Sequence, residues 1–303
     1  MKKKILSILL CLTMFLAVGC NNGDGGDRKI TDRQGNEVEV PNKIETIIST
    51  APANTENLVA LGLADKIIAA DEYSADVEGL SKDTKLMDFN TPDAEKIIEL
   101  DPDIIVATEY SGSSEDPYKA VKDAGICVVY IPSSNSIDGI YEDITFLADL
   151  FDVSDKGEEI VSSMKSDVEE VKEIGSKIKD KKKVYFEIGP APNLYSFGNS
   201  TFLNEIIEIV GAENIFKDQE SWISPSSESV IDANPDVILT NVNYIDNPID
   251  EIMNRDGWEN ITAVKEKAVY SIDTNSSSRP TPNVIKALKE MAKAIYPDEY
   301  GDK

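Results

Sequence analysis

The sequence predicts an α/β protein of two similar lobes, each built on a central, mostly parallel sheet, joined by one long helix. Three observations carry this reading. Residues 91–108 (TPDAEKIIELDPDIIVAT) and 224–241 (SPSSESVIDANPDVILTN) align without a gap. Apolar runs and helical patterns alternate along most of the chain with short loops between them, as parallel sheets require. That rhythm breaks once, over residues 155–179, where Ile160, Val161, Met164, Val168, Val171, Ile174 and Ile178 recur mostly at spacings of three and four.

The two copies of the repeat share more than apolar pattern. Each opens with a hydroxyl residue and a proline, Thr91-Pro92 and Ser224-Pro225, expected to cap a helix and fill its first position. Each carries a glutamate at the same place, Glu95 and Glu228. Each breaks at Asp/Asn-Pro-Asp, where the residue before proline disfavours helix. The runs IIVA and VILT that follow are apolar on both faces, as in buried parallel strands. An aromatic residue, Phe89 or Trp222, stands two positions before each copy.

In chain order, residues 1–20 pair a basic start (Lys2-Lys3-Lys4) with an apolar stretch too short to span a bilayer comfortably. This segment is expected to be a signal peptide ending before Cys20, and residues 21–27 (NNGDGGD) a flexible tether. Residues 28–153 are expected to form the N-terminal lobe: a hairpin over 29–40, strands at 44–49 and 67–70, a helix from about Thr55 to Leu61, and Tyr73 at the end of the second strand. The first repeat follows, then a helix over 117–123, a strand over 127–131 and a helix over 137–151. Residues 154–180 are expected to form the connecting helix. At 1.5 Å per residue it reaches roughly 35 Å, enough to bridge two lobes. Residues 181–303 are expected to repeat the pattern, with strands at 184–188 and 268–272, an aromatic loop at 189–198 holding Tyr195 and Phe197, helices at 201–210 and 249–253, and a closing helix at 283–295.

Composition excludes several functions. The chain has 303 residues, is 41% hydrophobic and contains no histidine. Histidine-based triads, imidazole general acid–base chemistry and imidazole metal or haem ligation are therefore absent. Removal of residues 1–20 takes three lysines with it, moving the formal charge from −26 to −29. So acidic a protein is not expected to bind nucleic acid. Cys127 has no partner for a disulfide once Cys11 is removed and Cys20 modified. Neither a G-x-S-x-G elbow nor a Walker loop occurs. A secreted α/β enzyme and a surface sensor remain as alternative classes. No catalytic or metal site is expected.

Pro52-Ala53-Asn54-Thr55-Glu56 with Leu61-Gly62, and residues 211–218 (GAENIFKD), carry a resemblance. The chain resembles the substrate-binding proteins of ABC importers for cobalamin, haem and iron-siderophores, most closely the cobalamin-binding branch, over most of residues 28–300. The resemblance implies a ligand cleft between the lobes and an ABC permease as partner. It places permease-docking carboxylates at Glu95 and Glu228. An acid in a first helical turn also favours the helix dipole, a role compatible with docking. Residues 16–20 resemble a lipobox, which implies lipid on Cys20 and attachment to the outer face of the cell membrane. Ligand-binding aromatics fall at Tyr73, Phe89 and Trp222, with Tyr195 or Phe197 from the cleft loop. Thr108 stands where those relatives carry tryptophan, and Tyr110 is two residues on. Arg279 is one of four arginines after residue 20 and offers a planar fork to the ligand. Asn54 and Asn193 are weaker polar candidates. Glu56 is expected to support its loop. The ligand is expected to be a corrinoid, with ferric siderophore and then haem as alternatives. Any cobalt or iron belongs to the ligand, and the protein is expected to act as a monomer with no cofactor of its own.

Overall fold

The computed structural model describes residues 28–109 and 115–301. Cys20 and Tyr110 therefore lie outside the described residues. The first hairpin pairs β1 (Arg28–Thr31) with β2 (Glu37–Val40) in antiparallel register. Its turn is held by Asp32, whose carboxylate accepts from the backbone N–H groups of Gln34 and Asn36. The N-terminal lobe follows with β3 (Ile47–Ser49), α1 (Pro52–Ala60), β4 (Ile67–Asp71), β5 (Lys85–Met87), α2 (Ala94–Glu99), β6 (Ile104–Ala107), α3 (Lys119–Asp123), β7 (Cys127–Tyr130) and α4 (Ile137–Leu150). Its five strands run in the order β5-β4-β3-β6-β7, all parallel.

The connecting helix is α5 (Ser154–Gly175). The C-terminal lobe then adds β8 (Lys183–Glu187), β9 (Ser196–Phe197), α6 (Phe202–Ile209), β10 (Glu213–Asn214), β11 (Trp222–Ile223), α7 (Ser227–Ala233), β12 (Val237–Thr240), α8 (Pro248–Met253), α9 (Thr262–Lys265), β13 (Val269–Ser271), α10 (Thr274–Ser278), α11 (Val284–Ile295) and α12 (Pro297–Tyr300). The parallel sheet here runs β10-β8-β12-β13, and β9 and β11 form a separate antiparallel pair.

The repeat holds in three dimensions, with one correction. The helix caps are Asp93 and Ser226, the third residue of each copy, not Thr91 and Ser224. Their side chains accept from the N–H groups of Lys96 and Ser229. Pro92 and Pro225 lie outside the helices, where their lack of an N–H costs nothing. Both breaks take the left-handed conformation, at Asp101 (φ 48°) and Asn234 (φ 47°). The aspartate two residues later then clamps the neighbouring strand. Asp103 accepts from the N–H groups of Glu45 and Thr46, leading into β3, and Asp236 accepts from the N–H of Lys183, the first residue of β8.

Two helix limits differ most from the sequence reading. Helix α1 begins at Pro52 rather than Thr55, because proline needs no N–H partner at a first helical position. Helix α5 ends at Gly175, short of the expected limit at 179–180, where it meets α6. A Cβ on Gly175 would lie 2.2 Å from the carbonyl oxygen of Ile209, and one on Gly211 would lie 2.6 Å from the Gly175 carbonyl oxygen. Nearer its other end, a Cβ on Gly157 would lie 2.4 Å from the Ala148 Cβ on α4. The helix thus docks on each lobe through a glycine. Alanine normally favours a helix over glycine by about 1 kcal/mol. At Gly175 the backbone contact reverses the sign: Gly175→Ala is expected to lower stability by about 1–3 kcal/mol, read by denaturant unfolding.

Side chains alternate across each sheet, as strands dictate. Ile47, Ile104 and Val106 of the N-terminal sheet enter the same core cluster as Val184, Phe186, Val237 and Leu239 of the C-terminal sheet. Met164 and Val171 of α5 and the apolar faces of α4, α6 and α11 complete it. The opposite faces, with Ile48 and Ile105 in one lobe and Tyr185 and Ile238 in the other, are covered by separate clusters.

Candidate functional site

The carboxyl ends of the two parallel sheets face each other. Asp76, after β4, accepts from Asn275 of α10, which follows β13 (2.7 Å). Arg279 reaches back to Glu56 of α1 (2.6 Å), to Asp76 (2.9 Å) and to the carbonyl of Tyr73 (3.2 Å). Loops after β3, β6 and β7 meet Ser278, Arg279 and Pro280 around a cavity of about 220 Å³. In open parallel sheets this is the crevice where ligands bind.

Four exposed aromatic side chains follow the carboxyl ends of these strands. Tyr73 (63% exposed) comes after β4 and Tyr244 (68%) after β12, while Tyr195 and Trp222 flank the loop beyond β8. The rings of Tyr195 and Trp222 stack, with centroids 6.3 Å apart and planes 15° from parallel. Phe197 meets Trp222 edge-on from beneath, at 6.1 Å. Pairing of β9 with β11, Phe197 opposite Trp222, sets this arrangement. Large flat apolar faces beside hydrogen-bonding edges suit a bulky, partly apolar ligand.

Two expected cleft residues are not on this surface. Phe89 is 8% exposed and belongs to the outer core of the N-terminal lobe with Ile97 and Tyr118. Phe197 is fully buried, its ring 5.5 Å from that of Phe186. Phe89, between β5 and α2, packs into the outer cluster of the N-terminal lobe, and Phe197 of β9 packs into the core shared by the two lobes. Tyr244, conversely, escaped the sequence reading, although it lies just four residues beyond the VILT run.

Arg279 does not present a free fork. Burial opposes its charge, but hydrogen bonds to Glu56 and Asp76 outweigh this and raise its pKa. Glu56 is buried and also accepts from Thr281 (2.8 Å) and Asn283 (3.0 Å), so it ties α1 to the C-terminal lobe rather than supporting its own loop alone. Asp71 is buried at the end of β4, where desolvation raises its pKa although its carboxylate accepts from Tyr73 N–H. Glu72 and Glu109 are exposed nearby, so the mouth is acidic. Below the C-terminal face, Glu187 ends β8 and forms a two-pronged pair with Arg255 (2.7 and 2.9 Å), and Arg255 lies 4.2 Å over the ring of Trp258. Burial raises the Glu187 pKa against the pull of Arg255.

Glu95 and Glu228 both stand exposed in the first turn of their helices, α2 and α7, one on each lobe. The Glu228 backbone N–H and the Ser226 hydroxyl hold its carboxyl below the usual carboxylate range. Among the described residues, no group of three or more cysteine, aspartate or glutamate side chains is placed to hold a metal ion.

Two parallel-sheet lobes facing across an aromatic crevice, with a single helix between them, define a solute-binding receptor. Comparison with known proteins agrees. A family model described as periplasmic binding protein matches residues 47–275. The chain is 33% identical, over 99% of both chains, to an uncharacterized ABC transporter substrate-binding lipoprotein of Bacillus subtilis (strain 168), YvrC. It is 26% identical to a vitamin B12-binding protein of Vibrio parahaemolyticus, over 82% of this chain and 88% of that one. A solved structure of a possible iron-binding (periplasmic solute-binding) protein from Staphylococcus epidermidis is 32% identical with a TM-score of 0.74, over 84% of this chain and 99% of that one. The chain belongs to the periplasmic binding protein family, the substrate-binding components of ABC importers.

Proposed function

We propose that this protein is a lipid-anchored, extracytoplasmic receptor that captures a corrinoid and delivers it to an ABC permease. The observation that carries the ligand class is the set of exposed aromatics, Tyr73 from one lobe and Tyr195, Trp222 and Tyr244 from the other, at the carboxyl ends of the sheets. A corrinoid offers a broad ring to such side chains and a rim of neutral amides to an acidic mouth. The similarity to a vitamin B12-binding protein supports the same choice. Glu95 and Glu228 engage the permease, lipid on Cys20 holds the receptor at the membrane, and one copy of the chain suffices. Cobalt arrives with the ligand.

A ferric siderophore is the second reading, favoured by the similarity to a possible iron-binding protein. The acidic mouth disfavours its more anionic members.

Fluorescence distinguishes these readings. The chain has two tryptophans: Trp258 is fully buried and donates to Ser227, whereas Trp222 is exposed. In a soluble form starting at residue 21, cobinamide and cobalamin are expected to quench Trp222 emission at micromolar concentrations or below. Trp222→Phe should abolish the quench and weaken binding by about 0.5–1.5 kcal/mol through altered ring stacking. No response to either corrinoid overturns the first reading; saturable quenching by a ferric siderophore alone moves the assignment to the second.

A further inference from the structure

Among the described residues, Tyr73 is the exposed aromatic that the N-terminal lobe brings to the crevice, while Tyr195, Trp222 and Tyr244 belong to the other lobe. Tyr195 and Trp222 hold each other by stacking. The Tyr73 ring has no such support: it is largely exposed, and no described ring packs on it. Its place is set by the turn that carries it, a single 3-10 turn over Glu72–Ser74. Such turns have poorer hydrogen-bond geometry than an α-helix and hold little by themselves.

This turn is held from both lobes. On its own side, Asp71 Oδ1 accepts from the Tyr73 N–H (3.0 Å), and Ser74 shares a buried hydroxyl hydrogen bond with Thr55 of α1 (2.9 Å). From the C-terminal lobe, Arg279 Nη2 donates to the Tyr73 carbonyl (3.2 Å) and to Asp76 Oδ1 (2.9 Å). Asn275 donates to Asp76 Oδ2 (2.7 Å), so both oxygens of Asp76 are engaged across the lobe boundary. Arg279 Nη1 is committed to the buried Glu56 (2.6 Å), which fixes the guanidinium plane. A planar fork can serve these three acceptors in set directions, whereas a lysine ammonium is a single point of charge.

We propose that Arg279 and Asn275 are positioning residues, acting on the ligand through Tyr73 by fixing the turn that presents its ring to the crevice. The inference rests on the reading of the crevice as the ligand site. The aromatic of one lobe is placed by groups of the other, so the gap between the aromatic walls is set before ligand arrives. A wall fixed in advance loses less entropy on binding.

The test is a pair of double-mutant cycles. Wild type, Tyr73→Ala, Arg279→Lys, Asn275→Ala and the two doubles containing Tyr73→Ala are titrated with cobinamide, following Trp222 fluorescence. Tyr73→Ala should weaken binding roughly tenfold. Arg279→Lys and Asn275→Ala should each weaken it roughly threefold or more. In the Tyr73→Ala background each should add less than about twofold, because the ring they place is gone. Full losses in that background, or wild-type affinity in both single variants, overturn the proposal. A role in stability alone would lower the unfolding midpoint and leave the cycles additive. Asn275→Ala keeps the Glu56–Arg279 pair and serves if Arg279→Lys does not fold. Amide hydrogen exchange of the ligand-free proteins is measured in parallel. The N–H groups of Tyr73, Ala75 and Val77 are hydrogen-bonded within the turn or to Asp71. They should exchange roughly fivefold faster in Asn275→Ala, with β4 unchanged. If wild type binds no corrinoid, the corrinoid reading fails and exchange decides alone: faster exchange supports the cross-lobe hold on the turn, and unchanged exchange overturns it.

Discussion

Replacing Glu95 and Glu228 together by alanine is expected to abolish ligand uptake by cells while the purified receptor keeps its ligand affinity. Both carboxylates are exposed, one on each lobe, at the same position of a structural repeat. Neither is needed for folding: loss of a first-turn acid removes about 0.3–1 kcal/mol of helix-dipole stabilisation. The effect on transport is far larger if each anion meets a cation on the permease. Truncating one partner of a desolvated charge pair costs about 2–5 kcal/mol, and here two pairs are lost at once. Glu95→Gln and Glu228→Gln should each act in the same direction, because charge and not size is required. The measurement is uptake of labelled ligand in cells carrying equal amounts of receptor, beside ligand titration of the purified protein. Uptake at the wild-type rate in the double alanine variant removes these residues from the docking surface. Loss of ligand affinity would instead place them in the cleft.

The second large effect is expected inside the molecule. Glu56→Ala should destabilise the fold by about 3–5 kcal/mol, the range for breaking a buried pair by removing one partner. Its carboxylate accepts from Arg279, Thr281 and Asn283, all from the other lobe. Without it Arg279 keeps only the more exposed Asp76 and the Tyr73 carbonyl. Glu56→Gln preserves volume and part of the hydrogen bonding, so its cost should be smaller. Denaturant unfolding of the three proteins gives the order wild type, Gln, Ala. An alanine variant within about 0.5 kcal/mol of wild type would assign the pair no structural weight.

Local pattern and duplication made much of the fold legible. Apolar runs flagged β6 and β12 because both faces of each strand are buried, and the Asp/Asn-Pro-Asp break recurred because both sites need a left-handed residue. Side-chain direction was harder. Thr91 and Ser224 look like caps, but the chain turns two residues later, at Asp93 and Ser226. Phe89 sits between exposed Asp88 and Asn90 yet fills the core, since a one-residue step in an extended segment reverses the face, whereas Phe197 lies in a buried stretch with Ser196 and Gly198 two residues after the exposed Tyr195. The pairs that organise the crevice were out of reach. Glu56 and Arg279 are 223 residues apart, and Glu187 and Arg255 are 68 apart. No periodicity links such residues.

The core shared by the two lobes has a thermodynamic consequence. Duplicated lobes ordinarily suggest modules that melt and evolve independently. Here residues from both sheets, the connecting helix and the closing helix α11 occupy one apolar cluster. Neither lobe can lose its structure without stripping the other of part of its interior. Heating should therefore give a single calorimetric transition, with calorimetric and van't Hoff enthalpies in agreement. Either half expressed alone should fail to fold, and ligand bound at the crevice should protect amide hydrogens throughout the chain. What looks like a pair of domains is, energetically, one.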